Sequence, residues 1–163
     1  MTKNELKNLL SYDPETGMFR WLVSRRGVAV GTIAGCIDPM GYWQIWTGKK
    51  NYRAHRLAFL CMTGSFPPKQ IDHINGDRSD NRWSNLRAAT ASENGKNQKL
   101  RTTNKSGVIG VHWSRSNNSW CAQITSDCKV KHLGSFVKID DAIKARALAE
   151  KELGFHANHG RSA

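Results

Sequence analysis

Leu6, Leu9 and Leu10 recur with helical period behind Thr2 and Glu5, which stand at capping-box spacing, so the chain opens on a short amphipathic helix. Asp13-Pro14-Glu15-Thr16-Gly17 is a turn signal. Aromatic and β-branched runs over 18–23 and 42–46 predict strands, with Gly41 and Gly48 as breaks. The apolar spacing over 54–62 changes to a helical period and is closed by Gly64 and Pro67-Pro68. Further on, Val111-His112-Trp113, Trp120-Cys121-Ala122-Gln123-Ile124 and Lys131-His132-Leu133 read as three short strands separated by turns at 114–119 and 126–128. A helix follows, capped by Asp140 and stopped by Gly154, and Ala142, Ala145 and Ala149 give it a small-residue face that suits close packing on a sheet.

The pattern predicts an α+β chain in two small units, at 1–95 and 107–157, with a tail at 158–163. Between them, 96–106 reads KNQKLRTTNKS, with Lys96, Lys99, Arg101 and Lys105 spaced by polar residues and only Leu100 to bury. Such a stretch is expected to be a solvated basic linker, or a cationic strap along a phosphate backbone.

Composition narrows the partner. The net charge of +12 points to a polyanion. No run approaches the roughly 18 apolar residues that span a bilayer, and the first residues lack an apolar signal core, so the chain reads as a soluble, intracellular protein with no membrane partner. Cys36, Cys61, Cys121 and Cys128 form no CxxC pair and are expected to be free thiols.

The chemistry is concentrated in 71–97, IDHINGDRSDNRWSNLRAATASENGKN. A carboxylate stands beside an imidazole, a loop rich in Asn, Asp and Gly follows, and Thr90 and Glu93 again have capping-box spacing, which puts Asn94 in the first turn of a helix. An imidazole of ordinary pKa near 6.5 accepts a proton from water at neutral pH. Hard oxygen ligands suit Mg²⁺ or Mn²⁺, whereas zinc would ask for nitrogen or sulfur donors that the neighbourhood of Asp72 does not supply.

This stretch resembles the HNH nucleases, specifically the phage and intron-encoded group. Tyr12-Asp13-Pro14-Glu15-Thr16-Gly17, His55-Arg56-Leu57-Ala58, Asn81-Arg82 and Asn85-Leu86-Arg87 stand where that group has similar residues. The resemblance implies a ββα-metal fold, His73 as general base, Asp72 and Asn94 as ligands of one divalent metal, and Asn85 as the residue that steadies the loop and the imidazole. Asn97 remains open as a ligand in place of Asn94, although an exposed polar helix residue is the preferred reading, and Asn81 competes with Asn85.

Residues 107–157, with Gly110-Val111, Leu133-Gly134-Ser135-Phe136 and the Ala-rich helix, resemble an AP2 domain, a three-stranded antiparallel sheet packed on one helix. Alternation sends Trp120, Ala122 and Ile124 toward the helix, and Cys121 and Gln123 outward with His112, Ser114 and His132. Arg115, Gln123, His112, Lys131 and His132 are then candidate DNA contacts, with Trp113 and Trp120 as core aromatics. Arg115 is the lone Arg between Arg101 and Arg146, where AP2 sheets usually carry several, so sequence discrimination by this unit is expected to be modest. In the first unit Arg53, His55 and Arg56 read as a basic helical face that could contact phosphate, and His156 and His159 as a frayed polar tail.

The resulting expectation is a DNA endonuclease, homing-type or from a phage, that acts on double-stranded DNA in a bacterial host cytoplasm. It would use Mg²⁺ or Mn²⁺ and no small-molecule cofactor, and a monomer that nicks is the simplest form. A non-catalytic DNA-binding protein is the rival from another class, and RNA is an alternative substrate.

Overall fold

A computed structural model describes residues 1–162 apart from Arg26 and Cys128, and the thiol and turn expected at Cys128 lie outside the described residues. The chain divides into two compact units, Met1–Ala89 and Thr90–Ala163.

In the first unit, α1 (Lys3–Leu9) starts on the expected capping box, with the Thr2 and Glu5 side chains each bonded to the other's backbone N–H. It runs straight into β1 (Leu10–Tyr12), which pairs antiparallel with β2 (Phe19–Trp21). The turn between them is held by Asp13, whose carboxylate accepts from the Glu15 N–H at 2.9 Å and the Thr16 hydroxyl at 2.8 Å. Gly17 sits at φ 73°, and a Cβ there would collide with the backbone of Asn81 and Arg82, so glycine lets this turn press on the loop that carries the chemistry.

A three-stranded antiparallel sheet follows in the order β3 (Cys36–Ile37), β4 (Trp43–Trp46), β5 (Asn51–Arg53). Only β4 was legible as a strand. β5 leads without a loop into α2 (Ala54–Thr63), which ends at Gly64 with φ 88°. Leu6, Leu10, Phe19, Ile45, Leu57 and Leu60 are almost wholly removed from solvent and form one core with Ile71 and Leu86. Those last two belong to β6 (Gln70–His73) and β7 (Leu86–Ala89), an antiparallel pair joined by a loop that ends in a 3-10 turn, Trp83–Asn85.

The second unit begins with α3 (Ala91–Gly95), on the Thr90 and Glu93 capping box. Its sheet has the order β10 (Lys129–Phe136), β9 (Ser119–Ser126), β8 (Val111–Ser114), and α4 (Ile139–Glu152) covers one face. Val111, Ala122 and Ala142 are buried at that contact, with Trp120, Leu133, Phe136 and Ile143 packed around them. Helix α4 is capped by Lys138 rather than Asp140, which falls in its first turn with Asp141. The chain is therefore α+β, as its patterning predicts.

Three details differ from expectation. Residues 96–106 do not hang free: the Leu100 N–H donates to the Arg161 carbonyl at 2.8 Å, and the Lys96 ammonium reaches the Leu153 carbonyl at 2.7 Å. The end of the chain is packed rather than frayed, since His159 lies edge-on to Phe155 at 4.8 Å and within 3.3 Å of the buried Arg146 guanidinium. Trp113 is 42% exposed, set edge-on against Trp120, so it is not a core aromatic. Cys36, Cys61 and Cys121 are free thiols, and no helix of the described residues is long and apolar enough to cross a membrane.

Candidate active site

Strand pairing places the acid and the imidazole. In the β6–β7 register Asp72 stands opposite Arg87 and His73 opposite Leu86, and Ile71, Asp72 and His73 are all buried. The Arg87 Nε and Nη2 donate to one carboxylate oxygen of Asp72 at 2.9 and 2.7 Å. A planar guanidinium gripping one oxygen through two donors fixes the carboxylate's orientation as a single contact could not. Arg87, part of the family resemblance, has no role that the sequence alone assigns, because only the strand register brings it to Asp72.

The loop after His73 is tied at both ends by Asn85. Its side chain accepts from the Asn75 N–H at 2.9 Å and donates to the Asp80 carbonyl at 2.9 Å, while its own carbonyl accepts from the Ile74 N–H. Within the loop the Gly76 N–H donates to the His73 carbonyl at 2.7 Å, Asp77 accepts from Ser79, and Asp80 is paired with Arg82. Asn81 is also buried, with its carbonyl taken by the Tyr12 hydroxyl at 2.7 Å. Asn85→Ala would leave two part-buried backbone groups, the Asn75 N–H and the Asp80 carbonyl, without their partner, at up to about 1–3 kcal/mol each. We expect this variant to lose about 2–4 kcal/mol in denaturant unfolding, and any cleavage that depends on His73 to fall with it. An unchanged unfolding midpoint would show that the loop does not rely on Asn85.

Burial pushes the His73 imidazole below its ordinary pKa, while the Asn81 side chain and the Asp72, Asp77 and Asp80 carboxylates pull the other way. The ring is therefore neutral at neutral pH and able to accept a proton.

His55 departs from its expected role. It is 6% exposed, edge-on to His73 with ring centroids 5.1 Å apart, and Tyr42 lies 5.5 Å from it and 6.1 Å from His73. Burial, then the neighbouring His73, Arg53 and Arg56, drive its pKa down to about 3. It is thus a neutral inward-facing ring and not a phosphate contact on an exposed basic face. The sequence held a sign of this, since Ala58 and Phe59, three and four residues on, are both buried. Arg53 and Arg56 are half-buried, with the Arg56 guanidinium near the Phe66 ring. Tyr42 was missed altogether as a site residue.

Asn94 lies in α3 of the second unit, half-buried. Asn97 falls beyond that helix and is buried, its side-chain oxygen accepting from Arg161 at 2.8 Å, so it is not the exposed helix residue expected. Lys99, Arg101 and Lys105 are exposed, while Lys96 is drawn toward Leu153 and Phe155. On the sheet, His112, Arg115, Lys131 and His132 are exposed. Gln123, opposite His132, is half-buried. Cys121, expected to face outward, is buried beside Ser135.

Comparison with known proteins points to the segment that contains Asp72 and His73. Residues 52–96 match the HNH endonuclease family model. The chain is 37% identical over 78 residues to Protein 3.8 of Escherichia phage T7, covering 47% of this chain and 64% of that protein. It is 33% identical over 93 residues to an uncharacterized HNH endonuclease of Acanthamoeba polyphaga mimivirus, covering 50% of this chain and 23% of the relative. The chain thus spans less than two thirds of the length of these relatives. The HNH homing endonuclease I-HmuI, solved in a study of its DNA binding and cleavage, shares 27% identity over 55% of this chain and 51% of its own, with a TM-score of 0.43.

Proposed function

We propose that this chain is a metal-dependent DNA endonuclease that hydrolyses phosphodiester bonds with His73 as general base. The observation that carries the reading is the buried His73, next along β6 to Asp72 with its carboxylate held by Arg87, inside the segment that matches the HNH endonuclease model.

His73 takes the proton of the attacking water as it approaches phosphorus, and the bond to the 3′ oxygen breaks, that oxygen taking a proton from solvent, which leaves 5′-phosphate and 3′-hydroxyl ends. Asn85 holds the loop behind His73. Asp72, whose carboxylate Arg87 orients, would be a ligand of Mg²⁺ or Mn²⁺, and the family resemblance assigns Asn94 as the second ligand. The donor set fits: a carboxylate and an amide are hard oxygen ligands, and among the described residues no three His, Cys, Asp or Glu side chains gather as a closed zinc site would require. Bound there, such an ion supplies neutralisation of the charge that builds on the phosphate and the leaving oxygen. In the second unit, the AP2-like sheet with His112, Arg115, Gln123, Lys131 and His132, and the basic Lys99, Arg101 and Lys105, would contact double-stranded DNA. The match to a phage T7 protein supports a phage origin, and a phage or mobile-element enzyme would act in the host cytoplasm.

Supercoiled plasmid incubated with Mg²⁺ or Mn²⁺ should become nicked before any linear form accumulates, and end-labelling should find 5′-phosphates. Excess chelator should stop it. Undiminished cutting in chelator removes the metal mechanism, and duplex binding without cutting under any divalent ion would make the chain a non-catalytic DNA-binding protein.

A further inference from the structure

We propose that Arg53 and Arg78, both stacked on Tyr42, form a clamp that takes a backbone phosphate of the substrate strand beside His73. The inference rests on the nuclease reading and adds to it two residues, Tyr42 and Arg78, that no sequence motif marks.

The Arg53 guanidinium carbon lies 3.9 Å from the centre of the Tyr42 ring and that of Arg78 lies 4.9 Å from it. Both cations also meet at Met40, Arg78 Nη1 donating to its carbonyl at 3.0 Å and Arg53 Nη2 reaching its sulfur at 3.9 Å. Two like charges on one ring repel each other, and in most folds a carboxylate would come between them. Here the neighbouring acids are otherwise engaged. Asp77 accepts from Ser79 and Asp80 pairs with Arg82. Asp38 accepts the Met40 and Tyr42 N–H groups at 2.9 Å each. Among the described residues, neither Arg53 nor Arg78 has a carboxylate within ion-pair distance.

With Arg78 Nη1 and Arg53 Nη2 held at Met40, the other N–H groups of each guanidinium are left for an anion, and a guanidinium fork suits phosphate. The shelf itself is fixed. Asp38 closes a tight turn with Tyr42, through the Asp38 N–H to the Tyr42 carbonyl at 2.8 Å and the two side-chain bonds already named. The Tyr42 ring lies 6.1 Å from the His73 ring, so an anion held on this shelf sits next to the general base. A polynucleotide phosphate is the anion whose presence there serves a nuclease.

The test uses the full chain, a fluorescein-labelled duplex and chelator, so that binding is read without cleavage, across a salt series. Arg78 is exposed, and its replacement leaves the core intact. Arg78→Gln should weaken binding roughly tenfold and lower the slope of log K against log salt by about 0.9, the loss of one phosphate contact. Arg53→Gln should act alike, and the double variant should lose little more, because both hold one phosphate. Tyr42→Leu keeps both charges but removes the shelf and should also weaken binding, whereas Tyr42→Phe should restore it. Wild-type cutting with unchanged affinity and slope in Arg78→Gln and Arg53→Gln overturns the clamp and leaves the nuclease reading standing. Arginine-dependent binding in a chain that never cuts plasmid keeps the clamp and removes the catalytic reading.

Discussion

His73→Ala is expected to lose about 10²–10⁴-fold in single-turnover cleavage while its affinity for duplex DNA stays within about twofold of the wild type. The ring is 5% exposed, so it offers a bound strand little surface in the ground state. Its contribution falls where water must lose a proton, a step that affinity does not report. On the proposed mechanism the residual rate would come from what remains, the metal ligands and the phosphate contacts. Gel shift in chelator and rapid-quench kinetics in Mg²⁺, run on the same labelled duplex, read the two quantities separately. Parallel losses in both would mean that removing the imidazole collapses the loop, or that His73 binds DNA instead of activating water. Circular dichroism of the variant then separates those two accounts, since loop collapse also lowers the unfolding temperature.

How much of this was legible beforehand depended on the reach of each interaction. Helices α1 and α3 were readable because Thr2 with Glu5, and Thr90 with Glu93, carry their capping information within four residues. The end of α2 was readable at Gly64, and the three strands and helix of the second unit followed from alternation and turn residues. Strands β3 and β5, two and three residues long, are too short to show alternation and exist because β4 pairs with both. Asp72 and His73 stood out by residue type alone. Arg87 did not, since its role follows from standing opposite Asp72 across the β6–β7 ladder.

The larger misreadings concern polar residues that the fold ties to distant partners. Lys96, Asn97 and His159 looked like solvated positions because their neighbours in sequence are polar. Their partners, Leu153, Arg161 and Arg146, lie some distance along the chain and meet them only after folding. The contact division at Ala89, ahead of the boundary expected at 95, has the same origin: α3 and 96–106 find their hydrogen bonds among residues that follow them. His55 is the converse case, a basic-looking position whose helical phase, shared with Ala58 and Phe59, already pointed inward.

That burial predicts acid sensitivity. The folded state holds His55 at a pKa of about 3 against an ordinary value of 6.5, so the folded protein keeps the ring neutral where the unfolded chain protonates it. Above pH 6.5 the ring is neutral in both states and contributes no pH dependence. Below that value the unfolded chain binds a proton that the folded one refuses, and stability falls by about 1.4 kcal/mol per pH unit, reaching about 3 kcal/mol at pH 4. The charged groups facing His55 act in the same direction: Arg53 and Arg56 on its own segment and His73 across from it all disfavour a second positive charge, while Tyr42 offers only a ring. His73, itself depressed by burial, adds to the slope. His55→Phe removes one titrating ring and keeps an aromatic body against His73 and Tyr42. Its urea unfolding free energy should fall less steeply between pH 6.5 and pH 4 than the wild type, by about 1.4 kcal/mol per unit. Parallel curves for the two proteins would mean that His55 finds a proton in the folded state and that its ring is not held neutral beside His73.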